Sequence, residues 1–250
     1  MRDCGLPLIA DSRRAVCARR HSFDRARSGY WNLLQPQDRR SKHPGDTPAA
    51  VVARRRLHDL GVTAPLFHAI REIAAVNGDD SVLDAGCGDG FYLGSLAAAT
   101  GCAAVGVDIS IPAIDAAAKR YRGVDWIVAN ADRAIPCADA TFSLVMSITA
   151  RMNASEFRRV LQQDGRLLVA IPAPDDFLEL RGQGRDRVDR TVATFAGSFT
   201  FRSQHRVTTH ADLDATAIDD IRHAIYRPLN AEPAQAMRVT LSLDLLLFHA

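Results

Sequence analysis

A glycine-rich turn with acidic residues before and after it is the part of this sequence best suited to bind a small ligand. Apolar residues 82 and 83 indicate a buried strand that ends at Asp84, and glycines follow at positions 86, 88 and 90. Glycines allow a tight backbone with positive φ and let a ligand approach the main chain closely. A second apolar run, residues 103–107, ends at Asp108. An acidic residue in that place can accept hydrogen bonds from the hydroxyl groups of a ribose.

The spacing of the glycines separates two kinds of cofactor. Dinucleotide-binding folds use G-x-G-x-x-G, whereas this turn is G-x-G-x-G with Asp84 before it and Asp89 inside it. Carboxylates would repel a pyrophosphate but attract a sulfonium and an amino group, so the pattern favours S-adenosylmethionine. The alternative is a glycine-rich turn of some other α/β domain. The predicted cofactor-binding residues are Asp84, Gly86, Cys87, Gly88, Asp89, Gly90, Tyr92, Asp108, Ile109, Asn130 and Asp132.

The elements around this turn alternate between helix and strand, which predicts an α/β fold with a mostly parallel sheet. A last strand over residues 237–248, inserted antiparallel, would complete a seven-stranded sheet. The predicted helices cover residues 48–60, 65–76, 92–99, 112–120, 154–162 and 211–224. The other predicted strands cover residues 126–128, 142–147, 166–171 and 199–207.

Composition indicates a globular protein of the cytoplasm. Hydrophobic residues make up 47% of the chain and charged residues 24%. No stretch approaches the roughly 20 apolar residues of a membrane span, and no apolar segment typical of a signal peptide follows Met1. Five cysteines scattered along the chain fit a reducing compartment better than a disulfide framework.

Charge is unevenly distributed. Residues 1–60 hold 13 Lys and Arg against 6 Asp and Glu, whereas the rest of the chain has an excess of acidic residues. Arginines alternate with aromatic residues near the N-terminus, a combination suited to phosphate contacts and base stacking. A polyanion partner is one interpretation, and a solvated arginine-rich surface is the other. The arginines assigned to RNA affinity are Arg19, Arg20, Arg25, Arg27 and the cluster Arg54–Arg56.

Cys4, Cys17 and His21 have residue types and a spacing that suit one metal ion. A closed tetrahedral zinc site needs four ligands, and only three are evident. The spacing alone leaves both a metal-free module and a zinc-binding module open.

Several segments together resemble the bacterial large-subunit (23S) rRNA guanine-N1-methyltransferases. They are Cys17 with His21–Asp24, Gly29–Leu34, Gly45-Asp46, Ala53–Arg55, Val82–Tyr92, Val107–Ser110, Ala113-Ile114, Ala116–Tyr121, Pro172–Pro174 and Leu178–Leu180. The resemblance implies a class I methyltransferase that uses S-adenosylmethionine to methylate N1 of a guanine in an rRNA hairpin. It also implies a zinc-finger-like RNA-recognition module over residues 1–34, a linker over residues 35–46 and a methyltransferase domain over residues 47–250.

The sequence departs from that family at two places. A fourth zinc ligand would fall at Met1. Either this ligand has been lost, or the true start codon lies upstream. The metal-ligand spacing of Cys4, Cys17 and His21 favours the upstream start. The family's Ile-x-Ala-Pro segment reads Ile148-Thr149-Ala150-Arg151 here. Thr149 and Arg151 are the candidates for a catalytic role, but the sequence identifies no general base. A small-molecule methyltransferase, a non-catalytic RNA-binding relative and a homodimer all stay open.

Overall fold

The structure is a computed structural model that describes residues 6–38, 44–225 and 233–250. Four short strands come first: β1 (Ile9–Ala10), β2 (Arg14–Val16), β3 (Ser22–Asp24) and β4 (Trp31–Asn32). The remaining strands are β5 (Ser81–Ala85), β6 (Ala103–Asp108), β7 (Asp125–Val128), β8 (Phe142–Ile148), β9 (Leu161–Pro172), β10 (Thr200–Leu213) and β11 (Met237–His249). The helices are α1 (Pro48–Asp59), α2 (Ala64–Ala74), α3 (Phe91–Thr100), α4 (Ile111–Arg120), α5 (Ala154–Val160), α6 (Leu178–Arg181), α7 (Val188–Phe195) and α8 (Ala215–Ala224).

A mixed sheet forms the centre of the fold, with strand order β10-β11-β9-β8-β5-β6-β7-β4. Strands β4 to β9 pair in parallel, and β11 is antiparallel to both β9 and β10. The predicted α/β class, the mostly parallel sheet and the antiparallel last strand are confirmed. The predicted count of seven strands is wrong, because the two-residue strand β4 pairs with β7 and makes an eighth. Chain order runs from β5 to β7 on one side and through β8 and β9 on the other. The resulting crevice beside β5 is where open α/β sheets bind their ligands.

Cross-strand pairing moves two predicted boundaries. The helix predicted to reach Gln162 ends at Val160, because Leu161 already pairs with Phe142 of β8. The helix predicted from Ala211 begins at Ala215, because β10 extends to Leu213 opposite Met237. In both places the ladder hydrogen bonds prevail over the helical tendency of the local sequence.

The core lies on both faces of this sheet. Successive residues of β5 point to opposite faces, so that Val82 belongs to one hydrophobic cluster and Leu83 to the other. A third cluster joins α1 to α8, with Leu57 and Ile221 in contact with the same group of buried side chains. Within the described ranges, no helix is both long and apolar enough to cross a lipid bilayer.

The N-terminal residues form a small antiparallel sheet, β1-β2-β3, that is joined to the large sheet. Trp31 pairs with Ile127 of β7, and the amide of Leu33 donates to the carbonyl of Val128 at 2.9 Å. The hydroxyl of Ser28 donates to Asp115 on α4 at 2.7 Å. These contacts fix the N-terminal strands against the rest of the protein. The predicted linker lies partly outside the described residues.

Candidate functional site

A cavity of about 870 Å³ opens at the carboxyl ends of the parallel strands. Most of the residues that the sequence singled out lie in its wall: Asp84, Gly86, Cys87, Gly88, Asp89, Tyr92, Asp108, Ile109, Asn130, Asp132, Thr149 and Arg151. Gly90 is absent from that lining. A Cβ at Gly90 would lie 2.4 Å from the Trp126 ring and 2.8 Å from Ala117, so this glycine allows α3 to pack.

The turn after β5 is held tightly between two neighbouring segments. Gly86 has φ +87°, and its amide donates to the carbonyl of Val107 at 2.7 Å. A Cβ at Gly86 would lie 2.4 Å from the Cβ of Ala150, which follows β8. Gly86 therefore meets the need for positive φ and for a close approach, as the glycine spacing predicts.

Asp108 has a fixed orientation at the end of β6. One of its carboxylate oxygens accepts the amide of Gly88 at 2.9 Å, and the other accepts the amide of Ser110 at 2.8 Å. Burial raises the pKa of Asp108, and these two N–H donors act in the opposite direction. Each carboxylate oxygen has a second lone pair, so Asp108 can still accept hydrogen bonds from a ligand.

Asp84 is the most unusual acid in the cavity. It is 1% exposed, and its Oδ1 has no hydrogen-bond partner. Burial, together with the nearby negative charge of Asp108, raises the pKa of Asp84 to about 8. A cationic group in the cavity would satisfy the oxygen and favour the charged carboxylate.

Helix α1 contributes a cation to the cavity, Arg54, which the sequence predicted to bind RNA. Arg54 forms an ion pair with Asp46 and donates to the carbonyl of Ala224 at 2.9 Å. Its Nη1 lies 3.1 Å from the position of a Cβ built on Gly88. The hydroxyl of Ser110 donates to the carbonyl of Asp46 at 2.8 Å, which ties this pair to the end of β6.

The rest of the arginine cluster is also engaged within the protein. Arg55 lies 3.5 Å from Asp89, and Arg56 lies 3.3 Å from Asp220. Expecting all three arginines to serve RNA affinity therefore misplaced Arg54 and Arg55, whose side chains are mostly buried. Three consecutive arginines indicate a basic surface, but the helical periodicity of α1 points their side chains in different directions.

His58 stacks on Phe91 beside this cluster. Their ring centroids are 3.9 Å apart and the rings are nearly parallel. Its Nδ1 lies 2.6 Å from the hydroxyl oxygen of Thr63. Burial, followed by the charges of Arg54 and Arg55, lowers the pKa of His58 to about 3. His58 is therefore neutral at physiological pH and lines the cavity as a packed aromatic ring.

The loops after β7 and β8 meet at the mouth of the cavity. Arg151 lies 3.4 Å from Asp132, and both side chains are partly exposed to solvent. Asn130 Oδ1 accepts the amide of Asp132 at 3.1 Å and shapes the turn after β7. Thr149 has φ +52°, a backbone conformation that β-branched residues rarely adopt.

Two of the three predicted metal ligands lie together. The Cys17 sulfur is 3.3 Å from His21 Nδ1, and Cys17 is buried. Backbone hydrogen bonds between residues 17, 20 and 21, with φ +64° at Arg20, form the tight turn that brings them close. A thiolate and an imidazole are donors that zinc prefers. Cys4 lies outside the described residues.

Family models match both parts of the chain. A model described as "Methyltransferase domain" matches residues 82–169, and a zinc-ribbon model described as "RlmA, N-terminal" matches residues 4–42. A solved structure of a SAM-dependent methyltransferase from Aquifex aeolicus is 14% identical, with a TM-score of 0.55, over 82% of this chain and 100% of that one. The YcgJ protein of Bacillus subtilis is 17% identical, with a TM-score of 0.54, over 73% and 97%. These structures share the class I methyltransferase fold.

A protein of Streptomyces fradiae, a 23S rRNA (guanine(748)-N(1))-methyltransferase, is 32% identical over 226 residues, which are 86% of this chain and 80% of that one. The chain belongs to the 23S rRNA (guanine-N1)-methyltransferase family. A Micromonospora griseorubida protein provisionally given this activity is 35% identical over 198 residues. The match covers 71% of this chain and 66% of the relative, so this chain spans just under two thirds of that relative's length. The resemblance inferred from the sequence is confirmed, and with it the dependence on S-adenosylmethionine that this family has.

Proposed function

We propose that this chain transfers the methyl group of S-adenosylmethionine to N1 of a guanine in a hairpin of large-subunit rRNA. The observation that carries the proposal is the buried Asp84, whose Oδ1 has no hydrogen-bond partner, beside Asp108 at the crevice of this sheet. Two acids in this arrangement suit a ligand with an amino group, a sulfonium and ribose hydroxyls. Family membership supplies the acceptor, an rRNA guanine.

The proposed cofactor contacts follow from the charges in the cavity. Asp84 would accept from the amino group of the methionine part, and Asp108 would accept from the ribose. Arg54 would bind the carboxylate, because its five N–H donors exceed the contacts made by Asp46 and Ala224. Asn130 and Asp132 would lie near the adenine. When bound, S-adenosylmethionine supplies a methyl group already activated for transfer.

The acceptor needs positioning and loss of a proton. N1 of guanine is protonated at neutral pH, so the protein must hold the base in line with the methyl group at roughly 3–3.5 Å while the proton leaves. Arg151, which lines the cavity, would stabilise negative charge that develops on O6. Thr149, which also lines the cavity, would donate a hydrogen bond to the base edge. No general base is assigned.

The N-terminal part is proposed to recognise the RNA. In this proposal, residues 1–34 form a zinc-supported module, residues 35–46 form a linker and residues 47–250 form the methyltransferase domain. Cys17 and His21 would hold zinc together with Cys4, and zinc would fix the turn between β2 and β3. Arg25, whose guanidinium lies 5.2 Å from the centre of the Trp31 ring, exemplifies the exposed cations of this module. Action in the cytoplasm is a part of the proposal that rests on the sequence.

The test is incubation of the protein with labelled S-adenosylmethionine and unmodified large-subunit rRNA, followed by nucleoside analysis. The proposal expects label in 1-methylguanosine. Label in another nucleoside would show that the methylated atom is not N1 of guanine. Label transferred only to small molecules from a cell extract would replace the proposal with a small-molecule methyltransferase.

A further inference from the structure

The cavity has a second half that the proposed cofactor contacts do not use. Asp84 and Asp108 belong to β5 and β6. On the other side of the cavity, Pro172 of β9 pairs with Leu243 of β11. The wall on this side also contains Val207, Leu241 and Phe177. It also contains Thr209 and the Asp176–Arg181 ion pair, so this side combines an apolar patch with paired charges, in contrast with the acidic end of the cavity.

Phe177 has an unusual backbone conformation in this wall. Its φ is +54° and its ψ is +39°, in the left-handed region that residues with a Cβ avoid. Only five non-glycine residues of the described chain have positive φ, and two of them, Phe177 and Thr149, line this cavity. Such strain in folded proteins concentrates at sites that bind or react.

A set of hydrogen bonds to β11 maintains the conformation of Phe177. The amide of Phe177 donates to the carbonyl of Thr240 at 2.7 Å. On either side, Asp176 accepts the amide of Ser242 at 3.0 Å, and Glu179 accepts the amide of Thr240 at 2.8 Å and its hydroxyl at 2.7 Å. The turn before α6 is thus bound to the sheet at several points, which holds the backbone of Phe177 in the wall of the cavity.

We propose that Phe177 is the platform on which the acceptor guanine stacks when it leaves the RNA. The proposal rests on the proposed function, because it assigns a residue to the base that is methylated. A base that leaves its helical stack needs a new neighbour for its flat face, and an aromatic ring can supply one. Phe177 is half-buried, so one part of the ring packs in the protein while the other faces the cavity. A rigid ring positions the base without a loss of side-chain freedom.

The experiment compares Phe177→Leu and Phe177→Tyr with the wild type and with Phe201→Leu, which alters an exposed phenylalanine of β10 outside the cavity. Affinity for unmodified large-subunit rRNA is measured with S-adenosylhomocysteine present, and kcat and KM are measured for methyl transfer. Phe177→Leu is expected to lower kcat/KM for RNA by about tenfold or more, the range found when stacked aromatic residues are removed. Phe177→Tyr and Phe201→Leu should stay close to the wild type, and cofactor affinity should be equal in all four proteins.

A further variant gives a readout that a purely structural role would not produce. In Phe177→Trp, stacking of a guanine should quench the emission of the added tryptophan when RNA binds, relative to the change seen in the wild type. This measurement keeps its meaning if Phe177→Leu folds poorly. Absence of extra quenching, or a Phe177→Leu variant that folds, binds and transfers like the wild type, would overturn the stacking proposal.

Failure of the proposed function gives a different pattern. A wild type that binds rRNA without methylating it contradicts the function, and the stacking proposal is then decided by the effect of Phe177→Leu on affinity and by the tryptophan signal. A wild type that neither binds nor methylates this RNA contradicts both.

Discussion

At the scale of single residues, the raised pKa of Asp84 leads us to expect that cofactor binding depends on pH. Its pKa of about 8 in the free protein means that the carboxyl is mostly protonated at neutral pH. Binding of an amino group favours the carboxylate, so a proton must leave on binding. Affinity for S-adenosylhomocysteine should therefore rise by about tenfold per pH unit from pH 6 to 7.5 and level off above about pH 8.

Calorimetry in buffers with different ionisation enthalpies measures this proton directly. The expected release approaches one proton per cofactor at pH 6.5. Asp84→Asn should bind weakly and lose the pH dependence. Equal affinity across this pH range in the wild type would show that Asp84 is not the partner of the amino group.

Asp108 makes a second prediction at this scale. Asp108→Ala should weaken cofactor binding by about 1–3 kcal/mol, because the variant cannot form charge-assisted hydrogen bonds to the ribose. The same change removes the acceptor for the amides of Gly88 and Ser110, so the melting temperature is measured alongside. Unchanged affinity in calorimetry would remove Asp108 from the ribose site.

These two acids could be predicted from the sequence because each lies beside a local pattern, the end of an apolar run near glycines. Phe177 and the Asp46–Arg54 pair could not be predicted in this way. Their roles depend on contacts with β11 and α8, which lie far along the chain. A positive φ at a phenylalanine leaves no mark in composition or periodicity.

At the scale of elements, helix α1 provides a test with its own control. Arg54→Gln removes a cation from the cavity, whereas Arg56→Gln removes one that is paired with Asp220 outside it. Arg54→Gln should lower cofactor affinity by about tenfold or more, the effect of losing a hydrogen bond to a charged group. Arg56→Gln should leave cofactor affinity unchanged.

The two variants also differ in stability. Arg54→Gln leaves Asp46 buried without its ion-pair partner, so it should melt at a lower temperature than Arg56→Gln. Binding is therefore measured well below both melting temperatures. Similar cofactor affinities for the two variants would place Arg54 outside the cofactor site.

Most helices and long strands of the methyltransferase part could be predicted because their apolar periodicity extends over many residues. The short helices α6 and α7 were missed, since they have only four and eight residues. The eighth strand, β4, could not be predicted, since it has only two residues and forms through pairing with distant β7. The start of β9 and the end of β10 were misplaced for the same reason: partner strands, not local sequence, determine where these strands begin and end.

At the scale of the whole molecule, the basic N-terminal part predicts salt-dependent RNA binding. Arg25→Gln with Arg27→Gln should reduce the slope of log affinity against log salt concentration by up to about 2, because each removed arginine can leave one phosphate without its cation. Cofactor affinity should stay the same. Arg71→Gln on α2, an exposed arginine of the methyltransferase part, is the control. An unchanged slope would assign Arg25 and Arg27 to the solvated surface.

The measurement that tests the central claim most directly is reverse transcription of large-subunit rRNA after treatment with the protein and S-adenosylmethionine. A methyl group on N1 of guanine blocks the Watson–Crick edge, so the polymerase stops one nucleotide before the modified base. We expect a new stop at a guanine in a hairpin loop. We also expect the stop to be weaker with Asp108→Ala when S-adenosylmethionine is present at a concentration that limits the reaction of the wild type. Absence of a stop, or a stop at a base other than guanine, would contradict the central claim.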